Sequence, residues 1–255
     1  MAASDGLLSF GGHLEVLRQM LFRILGVTLA FSCIVFCFKA QTFEILLAPS
    51  DSSFTTYSVV ENLMQRIDKS FIFEPFNVQL IATDLSSQFV THLTTSIYLG
   101  LLCASPFIMY ELFRFITPAL LENERKYSTK IMISMYLLFI IGVLMSYYIL
   151  FPISFRFLGT YSVAEKVRST ITLDSYISTF ISLTLLIGVV FQLPVITFIL
   201  SKMGIINTRQ MSNYRKHAFI IIMLIAAIIT PPDIMTLILV ALPLYCLFEL
   251  AIKII

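Results

Sequence analysis

Long apolar runs separated by short charged segments dominate the hydropathy pattern of this chain. A helix that crosses the hydrocarbon of a bilayer needs about 20 apolar residues, and a charge near its centre is costly, so Lys and Arg mark where spans end. The sequence therefore predicts six transmembrane helices, at residues 21–38, 89–110, 131–151, 176–200, 218–230 and 234–248. The last two fall below the usual spanning length. Their tight Pro-Pro-Asp connection indicates a paired hairpin.

A second periodicity occurs in the first outer loop, residues 40–88, which is long for a connection without structure of its own. Apolar side chains recur there at helical spacing, at Phe54, Tyr57, Val60, Met64 and Ile67. The loop is predicted to contain an amphipathic helix that lies along the outer membrane surface or contacts a partner.

The basic residues set the orientation of the spans, because Lys and Arg accumulate in cytoplasmic loops. Eleven of the 17 basic residues share one side: Arg18, Arg23, Arg114, Arg125, Lys126, Lys130, Lys202, Arg209, Arg215, Lys216 and Lys253. The opposite side holds the other six, offset by acids such as Glu44 and Asp51. Both termini are predicted to be cytoplasmic. The fold class is all-α and polytopic, with residues 1–255 forming a single transmembrane domain.

Composition supports the membrane assignment and excludes several functions. The chain is 58% hydrophobic and 13% charged, with a mean hydropathy of +0.91, whereas soluble domains carry about 25% charged residues. A net charge of +2 is too small to indicate a nucleic-acid partner. The four cysteines lie inside apolar runs and are predicted to be small packing residues: Cys33, Cys37, Cys103 and Cys246.

Catalytic motifs are missing from the sequence. It has no phosphate-binding glycine loop, no G-x-S-x-G and no H-E-x-x-H. His92 is either a proton relay or a packed side chain. Gln192, in "GVVFQLPV" beside Pro194, is predicted to satisfy backbone carbonyls freed by the proline. We therefore expect neither an enzyme nor a cofactor or metal site.

One short stretch combines apolar and charged residues, "SPFIMYELFRFITPALLENERKYS". Its last part contains Glu122, Glu124, Arg125 and Lys126. A solvated loop between two spans is the ordinary interpretation. A docking site for a positively charged ligand is the alternative.

Five segments resemble, in the same order, motifs of the TatC family, the multispanning core subunit of the twin-arginine protein translocase. They are "HLEVLRQMLFR", "IATDLSSQF", "SPFIMYELFRFITPALLENER", "GVVFQLPV" and "ITPPDIMTLILVALPLYCLFEL". The resemblance implies a cup-shaped six-helix protein that binds the paired arginines of signal peptides. It also implies export of folded precursors, with energy from the proton motive force.

The resemblance implies roles for residues on the cytoplasmic side. Glu124 matches a signal-peptide contact of the family, and Phe115 and Leu120 match an apolar pair in the same region. Arg18 belongs to the matching N-terminal motif. Glu15 lies one residue before the family's acid, which corresponds to about 100° around a helix. Glu122 adds a second carboxylate to the loop.

Other matches lie on the outer side and in the spans. Pro49 matches a proline at the start of the outer loop, and Tyr147 a tyrosine of the third span. Asp233 matches an aspartate that either acts in function or caps the sixth helix. Gln192 replaces a family acid, which indicates a neutral hydrogen-bonding role next to Pro194.

The implied partners are single-span subunits of the TatA and TatB type, precursors with twin-arginine signal peptides, and the lipid bilayer, in an oligomeric complex. The expected location is a bacterial inner membrane, with a mitochondrial inner or thylakoid membrane as the alternative. A small-solute transporter or channel is the second functional hypothesis, because Gln192 and Pro194 could break a helix near the midplane. A scaffold for another membrane enzyme is the third. The short last spans also predict local thinning of the bilayer.

Overall fold

A computed structural model describes residues 10–66, 76, 78–116, 128–161, 170–230 and 233–254. The helices are α1 Phe10–Cys37, α2 Lys39–Leu47, α3 Thr55–Gln65, α4 Ser87–Ile116, α5 Ser128–Met145, α6 Phe151–Thr160, α7 Leu173–Val190, α8 Leu193–Lys202, α9 Thr208–Asn213, α10 Arg215–Ile229 and α11 Ile234–Ile254. A 3-10 turn follows α2 at Ala48–Ser50, and a π-helical turn joins α5 to α6 at Ser146–Leu150. Two short parallel strands, β1 Leu80–Ile81 and β2 Ile171–Thr172, pair on the outer side.

Six helical segments cross the membrane. Five of them are long and apolar enough by length and composition, at Leu14–Cys37, Ser87–Phe115, Thr129–Thr160, Leu173–Lys202 and Ile234–Ile254. The remaining segment is α10, the fifth span, which has 15 residues and a length of about 22 Å, shorter than a hydrocarbon core of about 30 Å. With six crossings, both ends of the chain lie on the same side, and the basic residues place that side in the cytoplasm.

The last helix differs from the sequence expectation. α11 has 21 residues, about 31 Å, and continues six residues past the predicted end at 248. Glu249 and Lys253 lie in this extension. Their charges ended the sequence-based span, although a helix continues readily into the polar interface. The sixth span is thus of ordinary length, and a thinner bilayer would rest on α10 alone.

The π-helical turn in the third span has a local cause. Pro152, in the first turn of α6, has no N–H to donate to the carbonyl of Tyr148 four residues earlier. The hydroxyl of Thr56 in α3 donates to that carbonyl instead. A π turn and a side-chain donor together accommodate the proline within the apolar span.

α1 and α4 approach each other closely at Gly100. A Cβ atom added there would lie 2.6 Å from the backbone nitrogen of Ser32. Small residues that allow such backbone contact are a common basis of helix packing in membranes, where lipid offers no hydrophobic driving force. This contact sets the distance between the first two spans. Most of the remaining surface of α1 is exposed.

The cysteines are not core residues, so the packing prediction was wrong. All four thiols are exposed on the surface of the helices, among exposed apolar side chains such as Leu25, Ile228 and Leu242. In a bilayer, the lipid-facing and buried faces of a helix are both apolar. Hydropathy alone therefore does not distinguish them.

The outer loop contains a helix, α3, in the region where the spacing predicted one. Tyr57 is buried against the protein, whereas Leu63 and Met64 are exposed. Ile67 lies outside the described residues. Contact of the exposed side with the outer membrane surface stays a prediction.

Candidate functional site

The cytoplasmic ends of α1 and α4 form a charged surface. α1 begins and α4 ends on this side, and their packing places charged side chains of one helix against those of the other. Arg23 of α1 and Glu111 of α4 form its centre, with Nη2 of the arginine 3.1 Å from Oε2 of the glutamate. Arg114 lies one turn further along α4, with Nη1 3.9 Å from Oε1 of Glu111.

The members of this cluster differ in burial. The Glu111 side chain is only 4% exposed, whereas Arg23 and Arg114 are 46% and 60% exposed. A carboxylate taken out of water is stable only when it is paired. Two long arginine side chains satisfy it while their guanidinium groups reach toward the interface. The cluster therefore joins α1 to α4 near the cytoplasmic surface.

Glu111 and Arg23 were missed as site residues from the sequence. The second span was predicted to end at Tyr110, but α4 continues to Ile116 and includes the acid. Arg23 was counted only among the basic residues that set the orientation of the spans. The sequence offered one signal for this pair: a charged residue at or near the cytoplasmic end of each of two neighbouring spans.

Glu15 and Arg18 lie about two turns and about one and a half turns nearer the N-terminus of α1 than Arg23. Nη2 of Arg18 is 2.7 Å from Oε1 of Glu15, and Nε2 of Gln19 donates to the same oxygen at 3.0 Å. Both charged side chains are well exposed, Glu15 by 45% and Arg18 by 66%. The Glu15 carboxylate is accessible from the cytoplasm but is already engaged by two donors of its own helix.

Phe115 is half-buried in the last turn of α4, next to Arg114 in sequence. The structure brings Phe115 to the same end of the α1–α4 pair as Arg23 and Glu111. Leu120, Glu122 and Glu124 lie outside the described residues.

Gln192 lies at a break between α7 and α8, and it is 5% exposed. Its backbone carbonyl accepts from the N–H groups of Val195 and Ile196, and Pro194 occupies the first turn of α8, where no N–H is needed. The sequence predicted that this side chain would satisfy carbonyls freed by Pro194, and that prediction was wrong. Its Nε2 donates to the carbonyl of Met135 in α5 at 3.2 Å, which connects the third and fourth spans.

Pro49 and Tyr147 meet in a cluster on the outer side. Three phenols of this cluster donate to carbonyls of one short segment: Tyr147 to Ile45 at 2.7 Å, Tyr176 to Leu46 at 2.8 Å and Tyr57 to Pro49 at 2.7 Å. Burial raises the pKa of the Tyr57 phenol above its usual range, and the Arg156 guanidinium near its ring opposes this shift. The bonds from Tyr147 and Tyr176 attach the outer loop to the third and fourth spans.

Asp233 caps α11, the helix of the sixth span. Its Oδ1 accepts from the N–H of Thr236 at 2.7 Å, and its Oδ2 accepts from the Thr236 hydroxyl. This is the arrangement of an N-cap residue, which satisfies free N–H groups of the first helical turn. Capping was one of the two roles considered from the sequence.

His92 packs between aromatic rings. Its ring stacks on Phe36 of α1 with centroids 4.2 Å apart, and Phe43 lies edge-on at 5.8 Å. These contacts favour the packing role over a proton relay. Among the described residues, no group of three or more His, Cys, Asp or Glu side chains could hold a metal ion.

The fold and site define a polytopic helical membrane protein with a charged surface at the cytoplasmic ends of its first two spans. The chain matches the family model for the Sec-independent protein translocase protein (TatC) over residues 12–243. It therefore belongs to the TatC family, and it is a multi-pass component of a protein translocase of the bacterial inner membrane.

Two relatives and two solved structures illustrate the similarity. The TatC protein of Blattabacterium sp. subsp. Periplaneta americana is 34% identical over 249 residues, 96% of this chain and 94% of the relative. That of Escherichia coli K12 is 30% identical over 94% of this chain and 85% of the relative. Two crystal structures titled twin arginine translocase receptor TatC, one of them in the detergent DDM, superpose with TM-scores of 0.73 and 0.76 at 30% identity. They cover 95% and 94% of this chain, and 97% and 98% of theirs. The predicted all-α, six-span fold and the family assignment are confirmed.

Proposed function

We propose that this chain is the signal-peptide receptor and core subunit of a twin-arginine translocase. It binds the paired arginines of a precursor at the cytoplasmic ends of α1 and α4. It then assembles with single-span subunits of the TatA and TatB type to export the folded precursor. The chain performs no chemistry on its cargo, and the proton motive force supplies the energy.

The requirements of the ligand explain the choice of residues. A guanidinium presents its donors as a planar fork, and a carboxylate accepts two of them at once. Two adjacent arginines therefore require closely placed carboxylates at the cytoplasmic surface. We propose Glu124 as the principal acceptor and Glu15 as the second, with Glu122 in a lesser role. Lysine lacks the fork, which accounts for discrimination between the two cations.

The observation that carries the proposal is the ion pair between Arg23 and Glu111. It joins α1 to α4, so that Glu15 on one helix and Phe115 on the other belong to one surface. We propose that Phe115 and Leu120 provide apolar contacts to the signal peptide beside the arginine pair. Arg18 holds Glu15 at 2.7 Å in the free protein. A signal-peptide arginine would compete for that carboxylate.

The residues of the spans and the outer side have supporting roles in this proposal. Pro49 and Tyr147 hold the outer loop on the third span. Gln192 holds the fourth span against the third at the break before Pro194, and Asp233 caps the sixth. None of them is proposed to contact the signal peptide.

The test is a charge substitution in the acidic loop. Glu124→Gln keeps the size of the side chain but removes its charge and its symmetric fork. A charge-assisted bond contributes about 1.5–3 kcal/mol, or roughly tenfold to a hundredfold in affinity. We therefore expect site-specific crosslinking to a twin-arginine precursor, and its export, to fall by at least tenfold. The amount of inserted protein should stay unchanged.

Glu122→Gln is the matched control, since it makes the same change two residues away in the same loop. It should reduce crosslinking by less than the Glu124 change does. A precursor whose two arginines are replaced by lysines should be insensitive to both variants. Unchanged crosslinking and export in Glu124→Gln would show that the acidic loop is only a solvated turn.

A further inference from the structure

A groove lies between three helices on the cytoplasmic half of the protein. It is a cavity of about 350 Å³ between α5, α8 and α11. This volume falls within the range of about 300–1,000 Å³ of pockets that hold small molecules. Most of the lining is apolar, and it includes Leu138, Val195, Phe198 and Leu250. The groove could therefore hold an apolar chain.

A lysine lies at the cytoplasmic end of the lining stripe on two of these helices. On α5, Leu138, Ser134 and Lys130 follow one another at four-residue spacing and all line the groove. On α8, Phe198 lines the groove, and the Nζ of Lys202 lies 5.5 Å from the centre of its ring. Both lysines are exposed on the side where the basic residues of the chain accumulate.

The third helix also carries a lysine in its last turn. Leu250 and Ile254 of α11 line the groove, and Lys253, which is exposed, lies between them in sequence. The acid of α11, Glu249, is engaged elsewhere, because Arg215 of α10 binds it with two contacts of 3.0 Å. No carboxylate is among the lining residues that the structure describes.

We propose that this groove binds an anionic phospholipid of the cytoplasmic leaflet. One acyl chain lies along the apolar walls, and the headgroup phosphate lies among Lys130, Lys202 and Lys253. Basic pockets between spans on the cytoplasmic side are suited to anionic headgroups, because that leaflet carries their negative charge. The inference does not depend on the signal-peptide site.

The charge and the size of the groove favour this occupant over others. A zwitterionic lipid such as phosphatidylcholine would fill the apolar part equally well, but its quaternary ammonium group would offset the charge of its phosphate and repel the lysines. A transmembrane helix is about 10–12 Å wide and runs through both leaflets, whereas the groove occupies only the cytoplasmic ends of its three helices. A lysine near an anionic lipid surface raises binding by about fivefold.

The experiment uses the full chain in nanodiscs that contain either phosphatidylglycerol or phosphatidylcholine with a photoactivatable tail. Labelled peptides are then mapped by mass spectrometry. We expect phosphatidylglycerol to label α5, α8 and α11 at least tenfold more than phosphatidylcholine. Lys202→Gln should reduce this labelling by about fivefold. Lys216→Gln, which removes an exposed lysine of α10 on the same membrane side, should change it by less than twofold.

A second variant tests the apolar part without changing charge. Ser134→Phe fills the groove, so labelling of these helices should fall while the protein elutes unchanged in gel filtration. Equal labelling by the two lipids, or equal effects of Lys202→Gln and Lys216→Gln, would overturn the proposal. The same holds if coexpressed single-span subunits crosslink to the groove and displace the lipid, since the occupant would then be a helix.

Discussion

The ion pair of Arg23 and Glu111 leads to an asymmetric prediction, because its two members differ in burial. Removing the arginine leaves a carboxylate whose side chain is 4% exposed, with Arg114 at 3.9 Å as its remaining ion-pair partner among the described residues. Removing the acid leaves an arginine that is 46% exposed and able to extend into the interface. We therefore expect Arg23→Met to destabilise the protein more than Glu111→Gln.

The magnitudes follow from the same geometry. Breaking a buried pair from the exposed side costs about 3–5 kcal/mol when the buried charge is left without a partner, and Arg114 at 3.9 Å lowers this cost for Glu111. Glu111→Gln exchanges a charge-assisted bond for a neutral one, which costs about 1–2 kcal/mol. Replacing both partners by apolar residues removes the stranded charge, and such replacements are often neutral. The double variant Arg23→Met/Glu111→Leu should thus be more stable than Arg23→Met alone.

Equilibrium unfolding in mixed micelles, with increasing SDS, measures all three variants on one scale. The free energies of unfolding form a double-mutant cycle that isolates the coupling of the two residues. Equal losses for the two single variants, or a double variant that is less stable than Arg23→Met, would refute the reasoning. Such a result would mean that Glu111 is solvated or uncharged and does not hold α1 to α4.

Two further predictions use the same unfolding measurement. Gly100→Ala should destabilise the protein by more than 2 kcal/mol, roughly the cost of an overpacked core, because the new methyl group meets the backbone of Ser32 at 2.6 Å. Gly26→Ala is the control, since nothing lies within 4 Å of its added Cβ, and it should be neutral or stabilising; similar losses for both would contradict the close approach. Asp233→Ala should cost about 1 kcal/mol by removing the cap on Thr236, and an unchanged free energy would show that the cap is not stabilising.

Several features of this protein were determined by the sequence alone. The number, order and orientation of the spans follow from hydropathy and from the basic loops, because each span enters the bilayer largely on its own properties. The ordered motifs from "HLEVLRQMLFR" to "ITPPDIMTLILVALPLYCLFEL" indicated the family. The sequence also allowed a capping role for Asp233, which follows the double proline. Such a cap can be predicted because Asp233 and Thr236 are only three residues apart.

Contacts between distant segments were decided only by the tertiary structure. Arg23 and Glu111 are far apart in sequence, and so are Gln192 and its acceptor Met135. Hydropathy did not reveal these pairs because it treats each residue separately. A polar group inside a bilayer must find its partner wherever packing places a neighbouring helix.

The faces of the helices were decided in the same way. Cys33 and Cys246 lie in runs of sequence as apolar as those around core residues, yet both are exposed. Since lipid is as apolar as the protein interior, the pattern that reveals the buried face of a soluble helix is weak in a span. Only the packing of the helices determines which side faces the protein and which faces the lipid.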